Sequence, residues 1–313
     1  METILAFSFF FFCILILGTI SGIFSERAGI VNIAINGFMV FGAIMYAAIN
    51  VFVQKLFPDF SSSWHQIWLT ILAGGLTSLF ALLFGFATIK LKSEQTISGF
   101  AINVLSIGIV SVLVLILLKV QESGIALSFN IKELALGTET SWKNIISFKF
   151  FATVIIIFAS WFALRKTRWG LRFRSIGENP QAADVAGINV NKIKWEAVLL
   201  AGFIAGFAGA LYSQFNIGAF SVNKDVQGLG YIALAIMITA KWRVSLSVVV
   251  ALFFSVLLSF SFCGISLFGS GFRPYKDLLS ILPYLITLII MLFTSKNSSG
   301  PAAAGIPYNK SKR

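Results

Sequence analysis

Residues 3–23 read TILAFSFFFFCILILGTISGI, twenty-one positions without one charged side chain. A helix that crosses the hydrocarbon layer needs about 20 mostly apolar residues, and this stretch meets that length. Two further uncharged runs follow at 97–118 and 244–262. Across all 313 residues, 58% are hydrophobic and 12% are charged, with 33 Phe. Soluble domains carry roughly 25% charged residues. A soluble fold of this composition would expose far too much apolar surface. The expected fold class is therefore all-α, a polytopic integral membrane bundle.

Nine apolar segments can be drawn, at 3–23, 28–53, 66–89, 97–118, 147–164, 195–215, 228–240, 244–262 and 278–294. About nine transmembrane helices, within a range of eight to ten, are expected. The segment 228–240 is short for a span and suits a half-helix. The segment 28–53 opens with AGIVNIAING, which sets Asn32, Asn36 and two glycines at membrane depth. Helices broken inside a bundle leave backbone groups in need of partners, and such breaks often line a pathway. The same amides equally suit hydrogen bonds between helices. Residues 1–294 read as one transmembrane domain containing a polar loop at 165–194, and 295–313 as a short tail. METILAFSFFFF lacks the basic region and small-residue cleavage site of a signal peptide, so it is expected to stay as the first span.

The net charge of +12 is unevenly placed. Loops at 24–27, 90–96, 165–194 and 241–243, with the tail after 294, hold 16 Lys and Arg. Against them stand Glu26, Glu94, Glu178, Asp184 and the adjoining Glu196, a net of +11. The alternate loops hold 8 basic and 7 acidic residues, a net of +1. Basic loops stay in the cytoplasm, so the N-terminus is expected outside and the C-terminus inside the cell membrane. No basic stripe interleaved with aromatics lies outside the spans, so no nucleic-acid partner is expected. Cys13 and Cys263 sit in apolar surroundings and read as core hydrophobes, with no metal site.

Glycines cluster as Gly202, Gly206 and Gly209 in AGFIAGFAGA, and as Gly74 and Gly75 in LAGGLTS. Small residues at such spacing let membrane helices approach closely. They indicate a tight bundle and no particular function.

The most structured polar stretch is GENPQAADVAGIN, 177–189, flanked by Arg165, Lys166, Arg168, Arg172, Arg174, Lys192 and Lys194. Asn179 is a good N-cap and Pro180 fits the first helical position. Gly187 suits the residue just past the end. A helix of about two turns is expected, with a surface of Ala182, Ala183 and Ala186 and with Asp184 on the other side. Such a small capped knob suits a socket on another protein, or simple packing on its own loop. Arg172 and Arg174 suit acidic partner groups or anionic lipid equally.

TRWGLRFRSIGENPQAADVAGINVNKIK, 167–194, resembles the cytoplasmic coupling loop of permease subunits of ABC importers for ribose-type sugars, branched-chain amino acids and nucleosides. FSERAGIVNIAINGFMVFGA (24–43) is similar to the nucleoside branch, whose pattern reads S-E-R-x-G-V-x-N-I-x-x-E-G. LKSEQTISGFAINVL (91–105) resembles its R-x-D-Q-x-x-x-G-x-x-x-N, and QGLGYIALAIMITAKW (227–242) its G-x-G-x-x-A-L-A-x-x-x-x-G-x-W. LPYLITLIIMLF (282–293) and PAAAGIPY (301–308) also fit. The chain departs from that pattern at Asn36, where the branch carries an acid, and at Ala240-Lys241-Trp242.

The resemblance implies a non-enzymatic subunit forming half of a translocation pathway, with nucleosides as substrate or, alternatively, simple sugars. It implies partner ATPases that use ATP and Mg, a second related permease, and an extracytoplasmic binding protein or lipoprotein. The chain itself contains no G-x-x-x-x-G-K-[ST] phosphate loop and is expected to hold no cofactor. The coupling element implied is Gly177, Glu178, Asn179, Pro180, Ala182, Ala183, Asp184, Ala186 and Gly187. Candidate pathway residues are Asn32, Asn36, Gln95, Asn103 and Gln227, because amides read a neutral nucleoside without a charge penalty. An ion-coupled secondary transporter would need intramembrane charges, and the spans hold almost none. A membrane enzyme is weaker still, since the single His65 lies beside Trp64 at a span start, where an interfacial belt is expected.

Overall fold

The computed structural model describes residues 2–57, 62–121, 127, 134–135, 146–268, 276–294 and 300–309. They form eleven α-helices: α1 Glu2–Arg27, α2 Ile35–Leu56, α3 His65–Gly85, α4 Gln95–Val120, α5 Phe148–Lys166, α6 Arg168–Glu178, α7 Pro180–Val185, α8 Val190–Asn223, α9 Leu229–Thr239, α10 Val244–Phe268 and α11 Lys276–Thr294, with a π-helical turn, Phe86–Lys90, continuing α3. Seven of the described helices are long and apolar enough to cross a membrane, and Leu229–Thr239 and Ile281–Ile290 are shorter apolar pieces. Together they match the nine apolar segments. In lipid, each backbone group must find its partner inside the protein, which is why apolar sequence here becomes helix. Lys296, Lys310, Lys312 and Arg313 of the basic tail lie outside the described residues.

α1 is apolar all round and is buried all round from Phe10 to Phe24: Cys13 to Leu17, Ile20 and Ile23 are nearly inaccessible. It packs antiparallel to α8, with Ser21 Oγ donating to Ala201 O and the Phe10 ring in tilted contact with Phe215 near the other end. It runs parallel to α9, with Gly18 against Ala233 and Gly22 against Met237. α4 and α5 lie at the periphery and expose Ile97, Val112, Leu115, Ile155 and Phe158, as helices facing acyl chains should.

Glycines set the closest approaches. A Cβ on Gly42 would fall 2.3 Å from Gly206 O, and one on Gly209 would fall 1.8 Å from Met39 O. Gly202 and Gly206 face Ala81 and Thr77, and Gly74 faces Phe203. Gly75 meets nothing within 4 Å, so only the first glycine of LAGGLTS packs a helix.

Two expected irregularities take definite form and one element is new. The segment 28–53 is helical only from Ile35, because residues 28–34 are not helical. The segment 228–240 yields an 11-residue helix, about 16 Å long at 1.5 Å per residue. The polar loop 165–194 contains an additional helix, α6, ahead of the short one. Its Thr167 hydroxyl accepts from Gly170 N at 3.0 Å, and Phe173 and Ile176 are fully buried.

Candidate functional site

Two backbone interruptions inside the bundle build the candidate site. The first is 28–34. Gly29, at φ +77°, ends α1, and Ile30 N reaches back to Ser25 O at 3.0 Å. Beyond that point the chain has no helical partners, and one face of α4 supplies them. Gln95 Oε1 accepts from Val31 N at 2.6 Å. Asn103 Oδ1 accepts from Gly37 N at 2.7 Å, and Asn103 Nδ2 donates to Ile33 O at 3.0 Å. Gly99 lies between them, and a Cβ there would stand 3.2 Å from Ala34 N. Spacing of four residues puts Gln95, Gly99 and Asn103 on one helix face. That face is a seal for the broken backbone. Asn32 caps the next turn by accepting from Ala34 N at 3.1 Å, while its Nδ2 is buried without a partner among the described residues.

The second interruption, 224–228, precedes α9. Lys224, Gln227 and Gly228 all have positive φ. Asn36 joins it to the first: Asn36 Oδ1 accepts from Gly230 N at 3.2 Å, and Nδ2 donates to Asp225 Oδ1 at 3.1 Å. Asn103 Nδ2 also donates to Tyr231 Oη at 3.2 Å. Tyr284 Oη donates to Gln227 O at 2.8 Å. The amides of Asn32, Asn36, Gln95 and Asn103 are buried, whereas Tyr231 and Tyr284 keep 43% and 40% of their surface open. Of the five amides anticipated, Asn36 and Asn103 therefore meet at the junction, Asn32 and Gln95 support it from behind, and Gln227 contributes its carbonyl. The open wall belongs to Asp225, Tyr231 and Tyr284, which sequence reasoning passed over. None of the three carries a local signal: Asp225 lies within the second interruption itself, and Tyr231 and Tyr284 are brought to it by α9 and α11.

At the basic end of the bundle, α7 has the expected caps. Asn179 Oδ1 accepts from Gln181 N and Ala182 N at 3.1 and 3.0 Å, with Pro180 in the first turn. Gly187, at φ +82°, lets Ile188 N return to Ala183 O at 3.0 Å. The outward surface differs from the expected one. Ala183 is buried, and the exposed face is Gln181, Ala182, Val185 and Ala186, with Val185 75% exposed.

Behind α7, Gly177 lies so close to the end of α1 that a Cβ would stand 2.2 Å from Arg27 O. Ala303 N donates to Gly177 O at 2.8 Å, and Glu178 stands 4.0 Å from Arg27 Nη1. The short polar helix, the end of α1 and the first interruption thus form one contiguous set. Nearby, Glu94 caps α4 by accepting from Ile97 N and Thr96 N, which holds its carboxyl below the ordinary value.

A helical membrane bundle with two interrupted helices meeting at a polar junction, and a capped helix docked below one of them, defines a polytopic membrane transport protein. Residues 4–293 match the family described as the branched-chain amino acid transport system / permease component, and the chain belongs to that family. It is 34% identical over 310 residues to the nucleoside ABC transporter permease protein NupC of Lactococcus lactis, covering 95% of this chain and 94% of that one. It is 35% identical over 310 residues to the guanosine ABC transporter permease protein NupQ of Bacillus subtilis, covering 96% and 94%. A more distant likeness, 28% over 254 residues and covering 78% and 72%, is to the putative glucose ABC transporter permease protein TsgC13 of Haloferax volcanii. No solved structure matches the chain.

Proposed function

We propose that this chain is the permease subunit of an ATP-driven nucleoside importer in the plasma membrane. The observation that carries the reading is the polar junction at which two interrupted helices meet, where the buried amides of Asn36 and Asn103 hold Asp225 and the open Tyr231. A nucleobase is flat and rich in donors and acceptors. It stacks on an aromatic face, while its polar edges and the ribose hydroxyls suit tyrosine hydroxyls and one carboxylate. The near-full-length likeness to two nucleoside permeases supports the same substrate class.

The basic end then faces the cytoplasm, with the N-terminus outside and the C-terminus inside. Two partner ATPases hydrolyse Mg-bound ATP, a second related permease completes the pathway as a heterodimer, and an extracytoplasmic binding protein or lipoprotein delivers the nucleoside. α7 is the lever that docks on the ATPase through Ala182, Val185 and Ala186. Its displacement passes through Gly177 and Arg27 to residues 28–34, and from there to Asn36 and its bond with Asp225. ATP need only bind the inward- and outward-open states unequally.

Uptake of labelled guanosine and uridine by cells with and without the chain, ATP-replete and ATP-depleted, tests this reading. ATP-dependent nucleoside uptake should vanish on deletion. If ATP-dependent sugar uptake vanishes instead, the machine stands and the substrate class falls. An uptake that survives ATP depletion and collapses with the ion gradient would overturn the permease reading.

A further inference from the structure

Between the end of α1, the α5–α6 junction and the start of α10 lies a cavity of about 400 Å³. Its rim carries four guanidinium groups, from Arg27, Arg165, Arg174 and Arg243, and no carboxylate. Two are positioned by the fold itself. Arg27 Nε and Nη2 donate to Trp242 O at 3.2 and 3.1 Å, and Arg174 Nε donates to Gly170 O at 3.4 Å. Among the described residues, Glu178 is the only acid bridged to any of the four, at 4.0 Å from Arg27, and it points largely into solvent. Glu26 is turned to Trp242 Nε1. Four like charges around one cavity repel one another unless an anion lies between them.

Arginine matches phosphate through its planar fork of donors, and several forks can share one phosphate. The wall below the rim shows where that phosphate comes from. Trp161, Leu164 and Val244 line it. The same two helices continue as exposed apolar surface, with Phe158 and Phe162 on α5 and Leu246 and Val249 on α10. A free anion would use only the rim. A molecule with a phosphate above and acyl chains below uses both. We infer that this cavity is a binding site for a phosphate group, that of an anionic phospholipid in the leaflet at the basic end. It stands apart from the substrate junction and does not depend on which solute is carried.

The test uses the full-length chain with its partner subunits, reconstituted in vesicles of phosphatidylcholine with either brominated phosphatidylglycerol or brominated phosphatidylcholine as a minor component. Bromine quenches nearby indole fluorescence, and the signal lost in Trp161→Phe isolates Trp161. Brominated phosphatidylglycerol should quench Trp161 at about a tenfold lower mole fraction than brominated phosphatidylcholine, the scale of a few charge-assisted contacts. In the double variant Arg165→Gln/Arg243→Gln that preference should vanish, and in Arg165→Lys/Arg243→Lys it should weaken, because charge is kept and the fork is lost. Arg168→Gln/Arg172→Gln alters the same basic loop outside the cavity and should leave the preference intact.

Equal quenching by the two lipids would overturn the site, as would an equal loss in both glutamine pairs, which would mean diffuse attraction alone. Millimolar inorganic phosphate abolishing the preference would overturn the lipid as the source and leave the phosphate chemistry. A preference seen only without the ATPase subunits would assign the cavity to that protein partner and overturn the lipid proposal.

Discussion

Asn36, in the first turn of α2 just past one interruption, bonds across to the other, and a carboxylate is its neighbour there. Its Nδ2 donates to Asp225 Oδ1 and its Oδ1 accepts from Gly230 N, at 3.1 and 3.2 Å. The nucleoside branch that the sequence resembles carries an acid at this position; here such an acid would face a carboxylate across hydrogen-bond distance. Two unit charges about 4 Å apart repel by about 4 kcal/mol even at an effective dielectric of about 20. Asn36→Asp is therefore expected to lower the initial rate of solute uptake at least about tenfold. Asp225→Asn keeps an acceptor for Asn36 and should cost less. The exchange Asn36→Asp/Asp225→Asn restores one carboxylate and one amide, and uptake should return to within about threefold of the parent, a coupling that only paired residues show. Uptake rates normalised to the amount of chain in the membrane decide it. A double variant as poor as Asn36→Asp would mean that the two residues act independently.

At the scale of the element, glycine position separates seams from surfaces. A Cβ on Gly209 would overlap Met39 O at 1.8 Å, and backbone cannot move aside as a flexible side chain can. Gly209→Ala should destabilise the purified protein by about 2 kcal/mol or more, or prevent its accumulation. Gly75→Ala meets open space and should be neutral or raise the melting temperature slightly, since alanine favours helix by up to about 1 kcal/mol. Thermal melting of both in one detergent checks the contrast, and similar melting would undo the seam. The apolar runs made the spans legible, because length and hydropathy alone decide them in lipid.

The glycine clusters were legible as packing, but not which glycine packs. The tandem Gly74-Gly75 points to two sides of one helix, and only tertiary contacts choose between them. α6 was hidden by its arginines. Gly170, Phe173 and Ile176 do make an inward stripe, and Thr167 caps it, but four arginines in the stretch 165–174 read as loop. The Gln95, Gly99, Asn103 spacing was visible as a motif, yet its role was not. The backbone it satisfies at 31–37 lies more than 60 residues away. Asp225, Tyr231 and Tyr284 were illegible for the same reason.

Across the whole molecule, residues 300–309 fasten together elements that chain order keeps apart. Gly300 lies against Trp242, and Ala303 N bonds Gly177 O while Ala303 O lies beside Gly29. Asn309 Oδ1 accepts from Lys92 Nζ at 3.1 Å. The strap thus ties the approach to α7, the first interruption and the turn ahead of α4. If α7 is a lever, its stroke must reach residues 28–34 without being lost in the joint, and this strap closes the joint from outside.

From the strap only Pro301 and Ala303 are buried, with Tyr308 packed in part against the bundle core. A chain ending at residue 299 should therefore insert and assemble normally, and ATP hydrolysis by the complete transporter should stay within about twofold. Solute moved per ATP should fall about two- to tenfold, the scale of losing a tie held by one backbone hydrogen bond of about 0.5–1.5 kcal/mol. Ala303→Pro removes the N–H that meets Gly177 and also restricts the backbone at 302–303, and should shift the ratio in the same direction. Uptake and phosphate release measured in the same vesicles give that ratio. If both fall in proportion, the strap only holds the fold together; if neither changes, the stroke passes through Gly177 and Arg27 alone.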